Sequence, residues 1–231
     1  MKPRIAITAG DPAGIGPEIA SRAAEDARVR DVCEPIVYGP PPGATFAPGV
    51  LSAAAGRAAY DTIVRAVDDA RSGEVAAIAT APINKEAFRL AGLPWSGHTD
   101  LLAHLTGARD VAMLFHSDEL RVVLATVHIA LADVPRTLTS SLMERTIALT
   151  ARELPRFDKI APRIAVAGLN PHAGEHGLFG CEETDVHRAG RSRRAGGAAS
   201  TSAGRFPPTP CSCAPVAASS TWSSPVITTR A

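Results

Sequence analysis

The chain has 231 residues, of which 45% are hydrophobic, and a formal net charge of +1, which suits a globular protein with a substantial core. This charge gives no indication of a nucleic acid or an anionic membrane as a partner, and no apolar run approaches the ~20 residues of a membrane span. The N-terminus has no apolar signal core and the four cysteines show neither metal-ligand spacing nor a disulfide framework, so we expect a cytoplasmic protein.

Strands and helices alternate along residues 1–185. The predicted strands are Arg4–Thr8, Glu34–Gly39, Val75–Pro82, which ends in a loop, an adjacent pair in VAMLFHS and LRVVLATVHIAL, and Arg163–His172, which runs into a loop. The predicted helices are Pro17–Ala27, Ala53–Ser72, Thr99–Leu105 and Ser140–Leu154. This alternation predicts an α/β sandwich with a mainly parallel sheet.

Residues 186–231 have a different composition. These 46 residues contain no Leu, Asp, Glu or Lys, and 31 of them are Ala, Gly, Ser, Thr or Pro. Little apolar surface is available to offset the entropy of ordering such a segment. Composition alone therefore favours a disordered tail.

A glycine-rich turn follows the first predicted strand. Its sequence, GDPAGIGP, holds Gly10, Gly14 and Gly16 and ends at Pro17, which suits the first turn of a helix. Backbone N–H groups of such a turn can contact an anion, but the same turn can serve only as a tight strand-to-helix connection. The glycine spacing is not the dinucleotide-binding GxGxxG, so no Rossmann fingerprint is predicted.

Two later segments carry candidate ligands of an anion. In TAPINKEAF, Asn84 and Lys85 follow a predicted buried strand and should project from the carboxyl end of the sheet, where α/β proteins bind ligands. In SGHTDLLAHLTG, His98 precedes Thr99, a candidate helix N-cap. A solvated lysine and a structural histidine are the alternatives, and His104 is interpreted as structural.

Two histidines follow predicted strands in the second half of the chain. His128 lies near the end of one apolar strand, and His172 lies in the loop after another. Neutral imidazole is a common ligand of divalent transition metals, so the two side chains can converge on one ion. A catalytic metal usually has three protein ligands, and His116, His176 and His187 are third candidates by residue type alone.

Five motifs, taken together in order and spacing, resemble one family. They are ITAGDPAGIGPEIA, TAPINKEA, GHTDLLAHLTG, VHIALADVPRTLT and GLNPHAGEHGLFG, and they extend from about Arg4 to Glu183. The family is 4-hydroxythreonine-4-phosphate dehydrogenase of pyridoxal phosphate (vitamin B6) biosynthesis. The resemblance implies a two-domain α/β/α sandwich like that of isocitrate and isopropylmalate dehydrogenases. It also implies a homodimer with a divalent metal (Zn, Mg or Co) near the subunit interface.

The activity implied by this resemblance is oxidation of 4-phosphohydroxy-L-threonine by NAD or NADP, followed by loss of carbon dioxide. By motif match His98 and Thr99 would bind substrate, with Lys85 as a further candidate, and His128 and His172 would bind the metal. The resemblance assigns no catalytic acid or base and no cofactor-binding residue in this chain. A paralogue acting on a phosphorylated sugar acid such as tetronate 4-phosphate is the alternative, since both substrates carry a phosphate, a carboxylate and a neighbouring hydroxyl.

The family's third metal histidine lies in a YHDQG-type segment that this sequence lacks. In the reading frame that starts at the third base of each codon, however, Val226–Ala231 can encode Tyr-His-Asp-Gln-Gly, with permitted wobble bases. We therefore predict that residues 186–231 are translated out of frame and that residues 1–185 form a partial dehydrogenase region. The competing hypothesis from another class is an inactive truncated fragment that carries half of a metal site.

Overall fold

The computed structural model describes residues 1–117, 119–158, 162–185 and 226–230. They belong to two compact units, Met1–Arg109 and Asp110–Ala231, and each unit contains its own sheet. No helix in these ranges is both long enough and apolar enough to cross a membrane.

The first unit is built on a parallel three-stranded sheet. Its strands are β1 (Arg4–Thr8), β2 (Glu34–Tyr38) and β3 (Ala77–Thr80), in the order β2-β1-β3. Its helices are α1 (Gly16–Glu25), α2 (Ala27–Val32), α3 (Ala53–Ser72), α4 (Lys85–Leu90) and α5 (His98–Thr106). In the central strand, Ala6 lies opposite Ile36 on one side and Ile78 on the other.

Helices cover both faces of this sheet. Successive residues of a strand point to opposite faces, and those of β1 contact different helices. Ala6 packs with Ala66 of α3, whereas Ile7 packs with Ala20 of α1, and all four residues are buried. The first unit therefore has a helix, sheet and helix layering, with the carboxyl ends of all three strands at one edge.

Helix α3 has clear start and stop signals in the sequence. Ser52 caps it by accepting a hydrogen bond from the N–H of Ala55 at 3.1 Å. Gly73 ends it with a φ of 84°, a left-handed conformation that glycine adopts without steric strain. Ile63 of α3 is fully buried and packs with Phe88 of α4, so the long helix also anchors the segment that follows β3.

The second unit contains a four-stranded sheet. Its strands are β4 (Met113–His116), β5 (Arg121–Leu124), β6 (Arg163–Val166) and β7 (Val226–Arg230), in the order β4-β5-β7-β6. Its helices are α6 (Val134–Thr137), α7 (Ser140–Glu153) and α8 (Pro155–Asp158), with 3-10 helices at Leu131–Asp133 and Pro171–Gly177. Val123, Leu138, Met143 and Ile164 form its buried core.

Strand β7 lies between β5 and β6 and is antiparallel to both. Strands β5 and β6 therefore run in the same direction as each other. Val226–Arg230 belongs to the segment for which composition favours disorder, and the structure differs there because these residues form a strand. The prediction of an out-of-frame tail otherwise falls on residues 186–225 and 231, outside the described residues.

Several predicted elements are confirmed. Strand β1 has the predicted bounds, as does helix α3, and β4 and β5 form the predicted adjacent pair with antiparallel register. Glu34–Tyr38 is a strand, and α7 begins at Ser140 as predicted. The chain is of mixed α/β class, as the alternation of elements indicates.

Three expectations about the elements are wrong. The sheet is parallel only in the first unit, since the strand pairs described in the second unit are antiparallel. Strand β3, predicted as buried, lies at an edge, and its Ala79 is exposed. The helix predicted over Pro17–Ala27 ends at Glu25, because Asp26 has extended backbone and caps α2 by accepting from the N–H of Arg28 at 2.8 Å.

Candidate functional site

The glycine-rich turn after β1 packs tightly against backbone. A Cβ atom at Gly10 would lie 2.2 Å from the carbonyl oxygen of Pro82, and one at Gly16 would lie 2.0 Å from the carbonyl oxygen of Ala9. The N–H of Asp11 also donates to the carbonyl of Pro82 at 2.9 Å. These contacts support the interpretation as a tight connection between strand and helix, and they join the loops that leave β1 and β3.

Lys85 begins α4, just after the loop that leaves β3. Asn84 caps this helix, because its Oδ1 accepts from the N–H groups of Glu86 and Ala87, each at 3.0 Å. The side-chain oxygen of Asn84 is therefore used as a helix cap, and its role as a ligand stays a prediction. Lys85 is exposed, and its Cε lies 3.9 Å from the position that a Cβ at Gly97 would take. The lysine side chain thus reaches the start of the next helix.

The N-cap of α5 lies two residues before Thr99, the predicted one, and the helix itself begins one residue before its predicted start. Gly97 is the N-cap and His98 the first helical residue, so Thr99 is an exposed residue of the first turn. Asp100 accepts hydrogen bonds from the N–H of Gly97 at 2.9 Å and from the N–H and hydroxyl of Ser96 at 2.5 and 2.9 Å. Burial raises the pKa of the Asp100 carboxyl, but these hydrogen bonds have the larger combined effect in the opposite direction. The pKa of Asp100 is therefore lowered from its usual value.

His98 is half-buried at this helix start. Its Nε2 is buried and has no hydrogen-bond partner among the described residues. Burial lowers the pKa of His98, because a low-dielectric site disfavours the imidazolium. The side chain is therefore neutral at pH 7, and its buried nitrogen can hydrogen-bond any polar group that reaches it.

His104, six residues further along α5, has a different role. Its ring packs against that of Trp95, with the ring centroids 4.4 Å apart and the rings tilted by 36°. This contact supports the interpretation of His104 as a structural residue.

The first turn of α5 combines groups that suit an anion. The unpaired N–H groups of a helix start favour negative charge, and the Lys85 ammonium adds a full positive charge on a flexible stem. Asp100 opposes them with one negative charge. Lys85, His98 and Thr99 are brought together by α4 and α5 of one unit, and the arrangement can hold a phosphate or carboxylate beside a neutral imidazole.

His128 follows the end of β5 by four residues and is exposed. Its φ is 54°, a left-handed backbone that is uncommon for residues other than glycine. Two residues earlier, Thr126 is buried, and its hydroxyl has no hydrogen-bond partner in the part of the chain that the structure describes.

His172 lies in a turn of left-handed backbone. Residues 172–176, within Pro171–Gly177, all have φ between 40° and 79°, and only Gly174 among them is glycine. Left-handed backbone costs each of the other four roughly 1–2 kcal/mol, so contacts from outside must stabilise the turn. The His172 ring is exposed, and its centroid lies 6.3 Å from that of Phe179.

Glu183 and Asn170 supply contacts of this kind. Glu183 is only 6% exposed. One carboxylate oxygen accepts from the N–H of Asn170 at 2.5 Å, and the other accepts from the Asn170 side-chain amide at 3.1 Å. Burial raises the pKa of Glu183, but hydrogen bonds from Asn170, together with backbone N–H groups of Glu183 and Leu169, outweigh burial, so that the pKa is lowered. The sequence predicted neither residue, because an acidic residue thirteen positions away carries no local signal of a turn.

The topology of the second sheet brings both metal candidates to one edge. Because β5 and β6 run in the same direction, His128 and His172 follow strands that end at the same edge. One strand lies between them, so the two strand ends are about 10 Å apart. Two exposed imidazoles that follow strands ending at the same edge fit part of a divalent transition-metal site.

A complete metal site is not assembled by the described residues. No group of three His, Cys, Asp or Glu side chains among them is arranged to hold an ion. His116, at the end of β4, and His176 are exposed and do not complete one. His187 lies outside the described residues.

Known proteins resemble this chain over most of its length. The family model of the pyridoxal phosphate biosynthetic protein PdxA matches residues 9–199. The chain belongs to the PdxA family. The D-threonate 4-phosphate dehydrogenase of Salmonella typhimurium is 41% identical, over 79% of this chain and 68% of that protein. The 4-hydroxythreonine-4-phosphate dehydrogenase of Desulfosudis oleivorans is 40% identical, over 79% of this chain and 66% of that protein.

The fold resembles solved PdxA structures as well. The crystal structure of 4-hydroxythreonine-4-phosphate dehydrogenase from Klebsiella pneumoniae matches with a TM-score of 0.72 and 40% identity, covering 82% of this chain and 70% of that one. Since the relatives are dehydrogenases, the chain is an enzyme of the oxidoreductase class by family.

Two features of the PdxA match concern its extent. The chain spans about two thirds of the length of these relatives. The family match continues to residue 199, beyond Glu183, where the motif resemblance ends. The first part of the predicted tail therefore lies within the family match.

Proposed function

We propose that this PdxA protein derives from an NAD(P)- and divalent-metal-dependent dehydrogenase of 4-phosphohydroxy-L-threonine in pyridoxal phosphate biosynthesis. The observation that carries the proposal is 40% identity to a 4-hydroxythreonine-4-phosphate dehydrogenase over 79% of this chain. In the reaction, the secondary alcohol loses a hydride to the nicotinamide and its hydroxyl proton to a base. The resulting β-keto acid then loses carbon dioxide.

The start of α5 is the proposed binding place for an anionic group of the substrate. His98 and Thr99 bind it with the helix N–H groups, and Lys85 neutralises its charge. The support is local: Lys85 reaches the N-cap residue Gly97, and His98 has a buried nitrogen with capacity for a hydrogen bond. A neutral His98 can accept or donate a hydrogen bond at Nε2, depending on its tautomer.

His128 and His172 are the proposed metal ligands. Their two imidazoles suit Zn, Co or a similar divalent ion, and the family's third histidine has no counterpart in this sequence. When bound, such an ion supplies Lewis acidity that lowers the pKa of the substrate hydroxyl. The protein's own contribution is to hold the two imidazoles exposed at one edge of the second sheet.

The proposal includes an oligomeric state and a cellular location. We expect a homodimer, an isocitrate dehydrogenase-like sandwich and a cytoplasmic location for a PdxA protein with a complete site. The small phosphorylated substrate is the expected partner.

A second candidate substrate, D-threonate 4-phosphate, is supported by the similarity of the chain to a dehydrogenase named for it. The D-threonate 4-phosphate dehydrogenase of Salmonella typhimurium is 41% identical to this chain. D-threonate 4-phosphate is an acid with a phosphate and neighbouring hydroxyls, so the groups at the start of α5 suit it equally well. The tetronate alternative is therefore tested beside the first.

We further propose that residues 186–231 are encoded out of frame. The support is the composition of that segment and the shifted reading of Val226–Ala231 as Tyr-His-Asp-Gln-Gly, which would restore the third histidine. We expect the 231-residue chain to have negligible turnover even with added metal and NAD, because two histidines hold a metal more weakly than three.

One experiment tests these proposals together. The 231-residue chain and a frame-restored version are assayed with each phosphorylated substrate, with NAD or NADP, and with Zn, Mg or Co. We expect reduced nicotinamide from the restored protein with 4-phosphohydroxy-L-threonine, and none from the 231-residue chain. Preference for D-threonate 4-phosphate would replace the first substrate with the second, and full turnover by the 231-residue chain would refute the expectation of negligible turnover. Resequencing the gene across codons 180–231 and onward tests the frame-shift proposal itself, and a frame that stands as written would refute it.

A further inference from the structure

We propose that Glu183 is a positioning residue for His172, acting through Asn170 and the left-handed turn between them. The inference deepens the proposed function, because it rests on His172 being a ligand of the metal.

The turn is anchored at its first end by Glu183. The carboxylate accepts from both the backbone N–H and the side-chain amide of Asn170, the N-cap residue of the turn. The carbonyl of Asn170 in turn accepts from the N–H of Ala173 at 3.1 Å. His172 lies between these two bonded residues, so Glu183 fixes the backbone on either side of the imidazole.

The same carboxylate also touches the middle of the turn. A Cβ at Gly174 would lie 3.1 Å from a Glu183 carboxylate oxygen and 2.7 Å from the carbonyl oxygen of Gly180. The carbonyl of Gly174 accepts from the N–H of Phe179 at 3.2 Å. The left-handed residues thus lie between the Glu183 carboxylate and the segment from Phe179 to Gly180.

Glu183 has no other evident use in the structure. It is buried, it takes part in no ion pair with the described residues, and its lowered pKa keeps it charged. A buried charge without a cation is expensive unless hydrogen bonds satisfy it, and Asn170 provides those bonds. A neutral side chain would cost less free energy to bury than a carboxylate does. The carboxylate at position 183 therefore indicates that the turn requires a strong hydrogen-bond acceptor at both oxygens.

The experiment compares Glu183→Gln with Glu175→Gln in the 231-residue chain. Both variants exchange a carboxylate for an amide, but Glu175 is an exposed residue of the turn with no side-chain hydrogen bond among the described residues. Glutamine at position 183 presents a donor to the Asn170 amide, which is also a donor. We measure amide hydrogen exchange at Ala173 and Phe179, the NMR signals of the His172 ring, and thermal unfolding.

We expect Glu183→Gln to accelerate exchange at both amides by about tenfold or more and to shift the His172 ring signals. Glu175→Gln should change neither. If Glu183→Gln unfolds the protein, Asn170→Ala replaces it. That variant removes the side-chain amide, which donates to Glu182 at 2.8 Å as well as to Glu183 at 3.1 Å, and it leaves the backbone N–H bond to Glu183 in place. Unchanged exchange and unchanged His172 signals in folded Glu183→Gln, or in Asn170→Ala, would overturn the proposal.

Zinc titration separates this inference from the proposed function. The His172 signals of the wild-type chain should respond to Zn²⁺, and those of Glu183→Gln should require about tenfold more Zn²⁺. If Zn²⁺ does not change the His172 ring signals of the wild-type chain, the role of His172 as a metal ligand is refuted. The hydrogen-exchange data then still decide whether Glu183 holds the turn. Equal Zn²⁺ response in wild type and Glu183→Gln would overturn the positioning role.

Discussion

Single glycines decide how closely the loops at the edge of the first sheet can approach. Gly16 and Gly14 lie in the same turn after β1, but their surroundings differ. A Cβ at Gly16 would meet the carbonyl oxygen of Ala9 at 2.0 Å, whereas one at Gly14 would have its nearest contact at 3.4 Å, with Asp11. The motif alone does not distinguish them, since the sequence shows three glycines of equal appearance.

We predict that Gly16→Ala destabilises the protein and that Gly14→Ala changes its stability little. The clash at Gly16 is with backbone, which cannot rotate away, so a loss of about 1–3 kcal/mol is expected. Helix propensity would favour alanine by up to about 1 kcal/mol, which does not offset the clash. Urea unfolding of both variants measures the difference, and equal midpoints would contradict the packing interpretation.

His98 is the residue whose charge state most directly affects the proposed anion site. Burial lowers its pKa, so the unfolded chain binds this proton at a higher pH than the folded protein does. The neutral His98 ring therefore contributes fully to the free energy of unfolding at pH values above about 6.5, the pKa of histidine in the unfolded chain. This contribution is lost as the pH falls through the pKa of His98 in the folded protein.

We predict that His98→Gln reduces the loss of stability between pH 7.5 and about pH 5. Glutamine keeps hydrogen-bonding capacity but has no proton to bind in this range. Unfolding free energies of wild type and variant across this pH range test the prediction. Parallel pH dependences would show that the His98 ring is not desolvated.

Helix starts show which elements the sequence could predict. Helix α3 has the predicted bounds, and Ser52 and Gly73, which cap its two ends, are local signals of start and stop. The start of α5 was misplaced because glycine at position 97 has no capping side chain, and Asp100 supplies the contacts from inside the helix. A cap provided by a later residue is harder to recognise in sequence.

We predict that Asn84→Ala weakens α4 and that Asn84→Asp does not. The Asn84 oxygen satisfies two N–H groups of the first turn, and aspartate keeps an acceptor there. Alanine at an N-cap costs about 1 kcal/mol. Unfolding by urea compares the two variants with the wild type. A loss in Asn84→Asp as large as that in Asn84→Ala would show that the amide group has another role.

The turn that carries His172 shows the limit of prediction at the scale of elements. The sequence placed His172 in a loop after a strand, and the structure agrees. Four residues other than glycine in left-handed backbone could not be predicted, because local preferences oppose that conformation. Contacts from Glu183, which is distant in sequence, stabilise it instead.

At the scale of the whole molecule, the two units have separate cores. Ala6, Ile63 and Phe88 belong to clusters of the first unit, whereas Val123 and Ile164 belong to the second. The sequence predicted the mixed α/β class from alternating strands and helices. It could not predict the antiparallel sheet, because periodicity shows that a strand exists and not the direction of its neighbours.

We predict that ending the chain after residue 225 affects only the second unit. Strands β5 and β6 each lose the partner β7, so amides at Val123 and Ile164 should exchange faster. Amides of β1 serve as the internal control and should be unchanged. Hydrogen exchange with mass spectrometry measures both, and unchanged exchange at β5 and β6 would contradict the pairing of β7.

The pairing of β7 has a consequence for genetic damage. Its partners on both sides bind backbone N–H and C=O groups, which every residue except proline carries, and Val226, Ile227, Thr228 and Thr229 are all β-branched. A lesion that rewrites every side chain of the segment can therefore leave the central position of the sheet filled. The chemistry of a site and the architecture beneath it are lost at different rates, and a protein can keep its shape for a time after its catalytic residues have gone.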